Sequence, residues 1–363
     1  MIYLHVPFCH RKCTYCAFYS VASQRLVHDY VDALLVEMKH RREEQAHPIK
    51  TVYFGGGTPS LLPLDEMARI VDGLRSNFDL SQVEEVTIEC NPEDLTPAYL
   101  DGLKQLGLFN RISLGVQSLD DNVLRLIGRR HTARQALEAV ENAHRAGFHN
   151  ISVDFIYGIE PIGTIDTIDT IVSIDYITHI SAYSLTVEEG TALDVQVRQG
   201  RVVLPDEDEV VRQYHVLNKA FVAAGFHQYE VSNYARPGFE SRHNSRYWDR
   251  TPYLGLGPSA HSFDGHCRRW NVSNVAAYVS DPVDSFSFEN LTDADAYNEL
   301  LMTSLRTVKG LPLLSVPEEY NERLHHGMQP YIDCGWIVLK DNHYSPTAEG
   351  LLHADGMASA LFI

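Results

Sequence analysis

Three cysteines stand within eight positions near the start of the chain, Cys9, Cys13 and Cys16 in the stretch HVPFCHRKCTYCAFYS. The C-x3-C-x2-C spacing is tight enough to fold a loop around a small inorganic cube, and thiolates are the usual ligands of iron–sulfur clusters. A cluster of four irons held by three thiolates keeps one iron without a protein ligand. That open position can take a substrate or cofactor, as the open position on a catalytic metal ion does. A Cys3His zinc site is the alternative, with His5 or His10 as the fourth ligand, although zinc sites usually combine separate ligand pairs and no second pair is near. The other thiols, Cys90, Cys267 and Cys334, are scattered singly. Six cysteines in 363 residues are too few for a disulfide scaffold, which leaves one thiolate site, three ordinary thiols and a cytoplasmic chain.

Something must carry that loop. β-branched and aromatic runs at 2–6, 51–57, 86–90, 111–117, 151–158 and 179–185 alternate with helical stretches. Residues 26–46 place Tyr30, Leu34 and Met38 on one helical face. Thr132 and Gln135 have capping-box spacing, with Gly147 as a stop. Six βα-type units build a parallel sheet with helices outside, as a barrel or a doubly wound sheet. Polar and glycine residues cluster where the strands end: Cys9, then GGGTP, Glu89 with Asn-Pro, Gln117, and Asp154 within the fifth strand. Parallel α/β folds bind ligands at the C-terminal ends of strands, so these residues should converge on one mouth.

Beyond about residue 190 the rhythm changes. Residues 206–226 read as a long helix, YEVSNYARPG and HNSRYW as loops, and 291–311 as a helix with Thr292 and Asp295 in capping spacing. The last stretch reads as two short helices and a strand pair, GWIVLKDNHYS, suited to a small winged-helix-like α+β domain. The expected divisions are 1–200, 201–285 and 286–363. The formal charge of −18 disfavours a nucleic-acid partner, with a local basic cluster at Arg268 and Arg269. No apolar run approaches the roughly 18 residues of a membrane span, and MIYLHVPF lacks the basic and apolar regions of a secretory signal.

The cysteine motif with Tyr15 before its last member resembles that of the radical S-adenosylmethionine (SAM) superfamily. YLHVPFCHRKCTYCAF, YFGGGTPSLL, IECNPE, RISLGVQSLDDNVLRLIGRRH, HISAYSL, YEVSN, HNSRYW and YLGLGPSA follow the order of the heme chaperone HemW family, over about residues 2–310. These are relatives of oxygen-independent coproporphyrinogen III dehydrogenase. The resemblance implies a partial (β/α)6 barrel, a 4Fe–4S cluster on Cys9, Cys13 and Cys16, SAM on the open iron, and heme as cargo for a membrane acceptor. It implies a SAM pocket lined by Tyr3, Gly56, Gly57, Thr58, Glu89, Gln117, Arg129 and Asp154. In that pocket Glu89 and Asp154 would accept hydrogen bonds from ribose hydroxyls or the amino group, and Arg129 would pair with the carboxylate. The glycines would admit the methionine end closely. It also places heme near HNSRYW, where the residue types offer His243 as a ligand and Tyr247 and Trp248 as flat apolar surfaces; Cys267 is a further candidate by its chemistry alone. A homodimer and membrane association are further expectations.

Three departures matter. The decarboxylating relative carries a further cysteine where this chain has Phe18, and an N-terminal extension where only two residues precede Tyr3. Both point to the chaperone branch. The third is a loop at 157–170 in which Glu160, Pro161 and Ile162 replace the usual Gly-Leu-Pro-x-Gln-Thr and its following Trp, so its contacts are not carried over. The alternatives are a coproporphyrinogen III dehydrogenase, another radical SAM reaction such as methyl transfer, and a structural zinc protein.

Overall fold

The computed structural model describes residues 1–45, 48–159 and 164–363. Six strands, β1 (Ile2–Val6), β2 (Thr51–Gly56), β3 (Glu85–Cys90), β4 (Arg111–Gln117), β5 (Asn150–Tyr157) and β6 (His179–Ser184), lie within a residue of the expected runs. They pair in parallel, each with the next. Helices between them cover the outer face, and the apolar core lies between the two layers. Val27–Arg41 buries Tyr30, Leu34 and Met38 as their spacing requires. Ala133–Arg145 starts on the Thr132–Gln135 capping box. β4 is buried along its whole length, as a strand of a parallel sheet covered on both faces should be.

The sheet extends beyond these six strands. β7 (His227–Gln228), β8 (Asn233–Ala235) and β9 (Leu254–Leu256) come from the region expected to follow the barrel. β8 runs antiparallel to β6, β9 parallel to β1, and the order is β7-β8-β6-β5-β4-β3-β2-β1-β9, an open, partial barrel. A buried ion pair holds the β9 edge: Arg41 Nη1 donates to Glu37 at 3.0 Å and to the Gly255 carbonyl at 2.8 Å. Glu37 also accepts from the Gly257 N–H at 2.9 Å and the Tyr278 hydroxyl at 2.6 Å. At i, i+4 on a helix, this pair looks like surface decoration in sequence. It is buried because β9 folds over it, and its remaining donors and acceptors are met, as a buried pair requires.

A second sheet, β10 (His261–Phe263), β11 (Cys267–Asn271) and β12 (Phe286–Asn290), is antiparallel. A division at 286 would cut β12 off from its partner β11. The helix Asp293–Ser304 starts on the Thr292–Asp295 capping box and opens a second core, running from Tyr297 to Leu361. There β13 (Leu311–Pro312), β14 (Ile337–Lys340) and β15 (His343–Pro346) form a sheet ordered β13-β15-β14. The expected strand pair is present as β14 and β15, and the two-residue β13 is too short to recognise from a pattern. HNSRYW is not a loop: Arg242–Trp248 is a helix whose N-cap Ser241 accepts from the Asn244 N–H. The loop at Glu160, Pro161 and Ile162 lies outside the described residues. Among the described residues no helix is long and apolar enough to cross a membrane.

Candidate functional site at the mouth of the sheet

The strand ends converge on a cavity of about 570 Å3. Cys9, Cys13 and Cys16 line it from the loop after β1, and Gly56, Gly57 and Thr58 from the end of β2. Glu89 and Asn91 enter from β3, Gln117 from β4 and Asp154 from β5, with Arg129 following the helix after β4. All three thiols are unpaired and partly exposed. Burial raises the Cys16 thiol, and the neighbouring Cys13 and Cys9 act in the same direction.

The glycine run serves the chain's own packing. Gly56 has φ +108, and a Cβ there would lie 2.7 Å from the His5 ring. On Gly57 it would lie 2.7 Å from the Phe8 carbonyl oxygen. Their N–H groups are also engaged, Gly56 with Glu89 at 3.1 Å and Gly57 with the Val6 carbonyl at 2.8 Å. So the glycines bring β2 against the cysteine loop, and the close approach they allow is between two parts of the protein. Glu89 also accepts from the Tyr53 hydroxyl at 2.8 Å. Burial pushes its carboxyl up to about 7, with Asp154 adding to the rise. Asp154, raised by burial too, accepts from Ser113 Oγ at 3.3 Å. Gln117 ends β4 with φ +66, beside a register shift after Gly115. That non-glycine outlier turns the strand end at the cavity wall.

These residues suit an anionic cluster and a ligand with charged ends. Thr58 Oγ1 and Arg129 Nη1 donate to Cys9 and Cys13 sulfurs at 3.5 and 3.6 Å, which favours thiolates. Arg129 Nε is buried without a partner, so the wall has a donor left for an acceptor such as a carboxylate. The zinc alternative finds less. His5 Nε2 meets the Tyr19 carbonyl oxygen at 3.0 Å, and His10 Nδ1 meets Gln24 at 3.1 Å. Among the described residues no group of three His, Cys, Asp or Glu is arranged for a single metal ion.

Two expected residues stand elsewhere. Tyr3 is three positions below the mouth, in register with Tyr53 where Val6 pairs with Gly56. Its ring stacks on Tyr53 and its hydroxyl meets His5 Nδ1 at 3.2 Å, so it supports the wall from behind. His243 is at the opposite, N-terminal end of the strands. Its side chain is fully buried against Tyr53, with Nδ1 at 2.9 Å from Thr51 Oγ1 and Nε2 at 3.1 Å from the Tyr247 hydroxyl. The Glu85 carboxylate accepts the Arg242 and His243 backbone N–H groups. Burial pushes the imidazole down to about 3. Both ring nitrogens are occupied, so this conformation offers no free His243 ligand. Cys267 lines a second cavity of about 550 Å3 with Tyr253, Phe263, Arg269, Phe286 and Phe288. The basic pair is engaged: Arg268 with Glu299 at 2.7 Å, Arg269 over the Phe286 ring at 3.6 Å. Ser113 and Tyr183 are cavity residues that the sequence did not single out, while Asn91 lines the cavity as the Asn-Pro pair after β3 suggested.

Comparison with known proteins agrees with this architecture. The Radical SAM superfamily model matches residues 3–171, and that of the HemN C-terminal domain matches residues 291–353. A heme chaperone HemW from Mycobacterium tuberculosis is 37% identical, covering 99% of this chain and 94% of that protein. One from Bacillus subtilis is 35% identical over 97% of this chain and 92% of that protein. Among solved structures, coproporphyrinogen III oxidase (HemN) from Escherichia coli, a radical SAM enzyme, superposes with a TM-score of 0.84. At 23% identity, covering 99% of this chain and 89% of that one, it shares the fold.

Proposed function

The chain belongs to the heme chaperone HemW family, and on that premise we propose that it binds heme and passes it to an acceptor protein, with a 4Fe–4S cluster and SAM in the mouth cavity. One observation carries the site: three thiols from one loop meet glycines, carboxylates and an arginine from four other segments in a single cavity. Cys9, Cys13 and Cys16 would hold three irons. The cluster supplies one-electron chemistry when bound, and SAM on the fourth iron would be its partner. The chain's own work is to bind and orient. Arg129 Nε is placed for a carboxylate, and Glu89 and Asp154 accept from hydroxyl or amino groups in whichever protonation state leaves a lone pair free. Gly56 and Gly57 keep the cysteine loop against β2. Tyr3 belongs to this reading as a support for Tyr53.

The acceptor is proposed to be a membrane protein, reached from the cytoplasm, and the chain a homodimer. The three-part division also stands as a proposal, with its last boundary after Asn290, where β12 ends. Phe18, 70% exposed on the cavity rim, occupies the position of the extra cysteine in the decarboxylating relative and so favours carrier over decarboxylase.

Anaerobic heme titration followed by absorbance tests the proposal, with the parent, His243→Ala and Cys267→Ala side by side. Near one heme per chain is expected for the parent. Binding lost only in Cys267→Ala would direct attention to the second cavity, and binding lost only in His243→Ala would require the Arg242–Trp248 helix to open. No binding by the parent, or conversion of coproporphyrinogen III by the SAM-supplied protein, removes the chaperone reading.

A further inference from the structure

The two side chains that donate to the thiols are tied together. Asn91 Nδ2 donates to Thr58 Oγ1 at 3.1 Å, and Asn91 Oδ1 accepts from Arg129 Nη2 at 2.6 Å. Thr58 then donates to Cys9 Sγ and Arg129 to Cys13 Sγ, at 3.5 and 3.6 Å. The result is a continuous arch, Cys9–Thr58–Asn91–Arg129–Cys13, drawn from four segments of the chain. Its centre is anchored. The Asn91 backbone N–H donates to Ser60 Oγ at 3.2 Å, and Ser60 donates to Asp94 at 2.7 Å. Arg129 Nη2 is held further by the Gly115 carbonyl at 2.7 Å, where a Cβ on Gly115 would come within 3.0 Å of that nitrogen. Cys16 has a different neighbour, the Phe18 backbone N–H.

The chemistry of an amide explains the polarity of the arch. A hydroxyl has one proton to give. With Asn91 Nδ2 donating to it, the Thr58 hydroxyl is committed as an acceptor on that side and its proton is free for Cys9. The amide oxygen meanwhile fixes the guanidinium so that Nη1 faces Cys13. A carboxylate at 91 could not do both. It would accept from Arg129 and also from Thr58, drawing the Thr58 proton away from Cys9.

We propose that Asn91 is a positioning residue that sets the reduction potential of the cluster, by holding Thr58 and Arg129 as hydrogen-bond donors to Cys9 and Cys13. This rests on the cluster reading above. Hydrogen bonds to ligand sulfurs stabilise the reduced, more negative cluster and so raise its potential, and groups that hydrogen-bond to metal ligands tune the metal in this way generally. The arch supplies side-chain donors to two of the three ligands and couples them through one residue.

The test uses full-length protein with reconstituted cluster and no SAM: the parent, Asn91→Asp, Thr58→Val and Thr58→Ser. Iron per chain is measured first, then the midpoint potential from electron paramagnetic resonance at controlled potentials. Full iron loading throughout is expected, with a lower potential in Asn91→Asp and Thr58→Val and a parent-like potential in Thr58→Ser. A parent-like potential in Asn91→Asp and Thr58→Val at full loading overturns the inference alone. If Asn91→Asp loads poorly, the two Thr58 variants decide, and equal potentials in them count against the arch. A parent without any iron–sulfur cluster overturns the cluster reading and this inference with it.

Discussion

At the scale of single residues, the site depends on which groups are made to share a cavity. The thiols are the clearest case. Serine oxygen is a poor ligand for a cluster that thiolates hold. Cys9→Ser, Cys13→Ser and Cys16→Ser are each expected to remove the iron–sulfur absorbance and most of the bound iron; a full cluster in any of them would falsify the ligand assignment. These residues were legible because their spacing is local. Glu89, Gln117 and Asp154 were legible as polar residues at the ends of successive parallel strands, which place them at one mouth; their roles in the pocket, and Arg129 altogether, were legible only through resemblance. Asn91 was legible as a strand-end polar residue but its bridging role was not, because its amide acts through Thr58 and Arg129, and pairings 33 and 38 positions apart leave no local pattern.

The elements place those residues by packing demands that sequence patterns state only in part. Six strands and their helices could be delimited from β-branched runs and capping boxes. GGG could be read as a turn or a ligand cradle, and the tertiary packing decided for neither alone: the glycines are needed because the His5 ring and the Phe8 carbonyl occupy the space a Cβ would take. Gly56→Ala must therefore push against His5 and adopt a positive φ with a side chain. A loss of about 1–3 kcal/mol in unfolding free energy is expected, typical of strained backbone positions. Chemical denaturation of the cluster-free protein measures it, and an unchanged midpoint would show that the loop yields at no cost. The HNSRYW helix escaped notice for a different reason. Seven residues make barely two turns, too few for a periodic signal, and its N-terminal N–H groups are met by Glu85 from a distant strand.

At the scale of the molecule, the two cores meet at a backbone joint. Val231 N–H donates to the Arg306 carbonyl, Val308 N–H to that of Tyr229, and Glu230 bridges to Thr307. Glu230 is 1% exposed, and burial pushes its carboxyl up to about 7, with Arg306 and nearby donors only partly opposing. A carboxyl raised in the folded state contributes stability that is fully present below its ordinary value near 4.5 and is lost as pH rises through 7. Glu230→Gln keeps the shape and removes the charge. Its thermal unfolding midpoint relative to the parent is expected to increase from pH 5 to pH 8. A constant difference across that range would mean that Glu230 keeps an ordinary carboxylate environment.

The sequence by itself determined the parallel α/β class, the cysteine loop, the six strand runs and the family, because periodicity, capping and thiol spacing are short-range properties. It also suggested that strand ends would meet. Only the tertiary structure decided which residues face the cavity and which stand behind it. Tyr3 and His243 show the difference: both belong to recognisable motifs, yet strand register places Tyr3 three residues below the mouth and the fold buries His243 at the far end. The same holds for β9, whose pairing with β1 turns the Glu37–Arg41 pair from a helix surface into an interior anchor. Contacts between residues 30 to more than 200 positions apart are set by the closing of the sheet and the matching of buried donors with acceptors. Those are properties of the whole packed chain, and no local stretch encodes them.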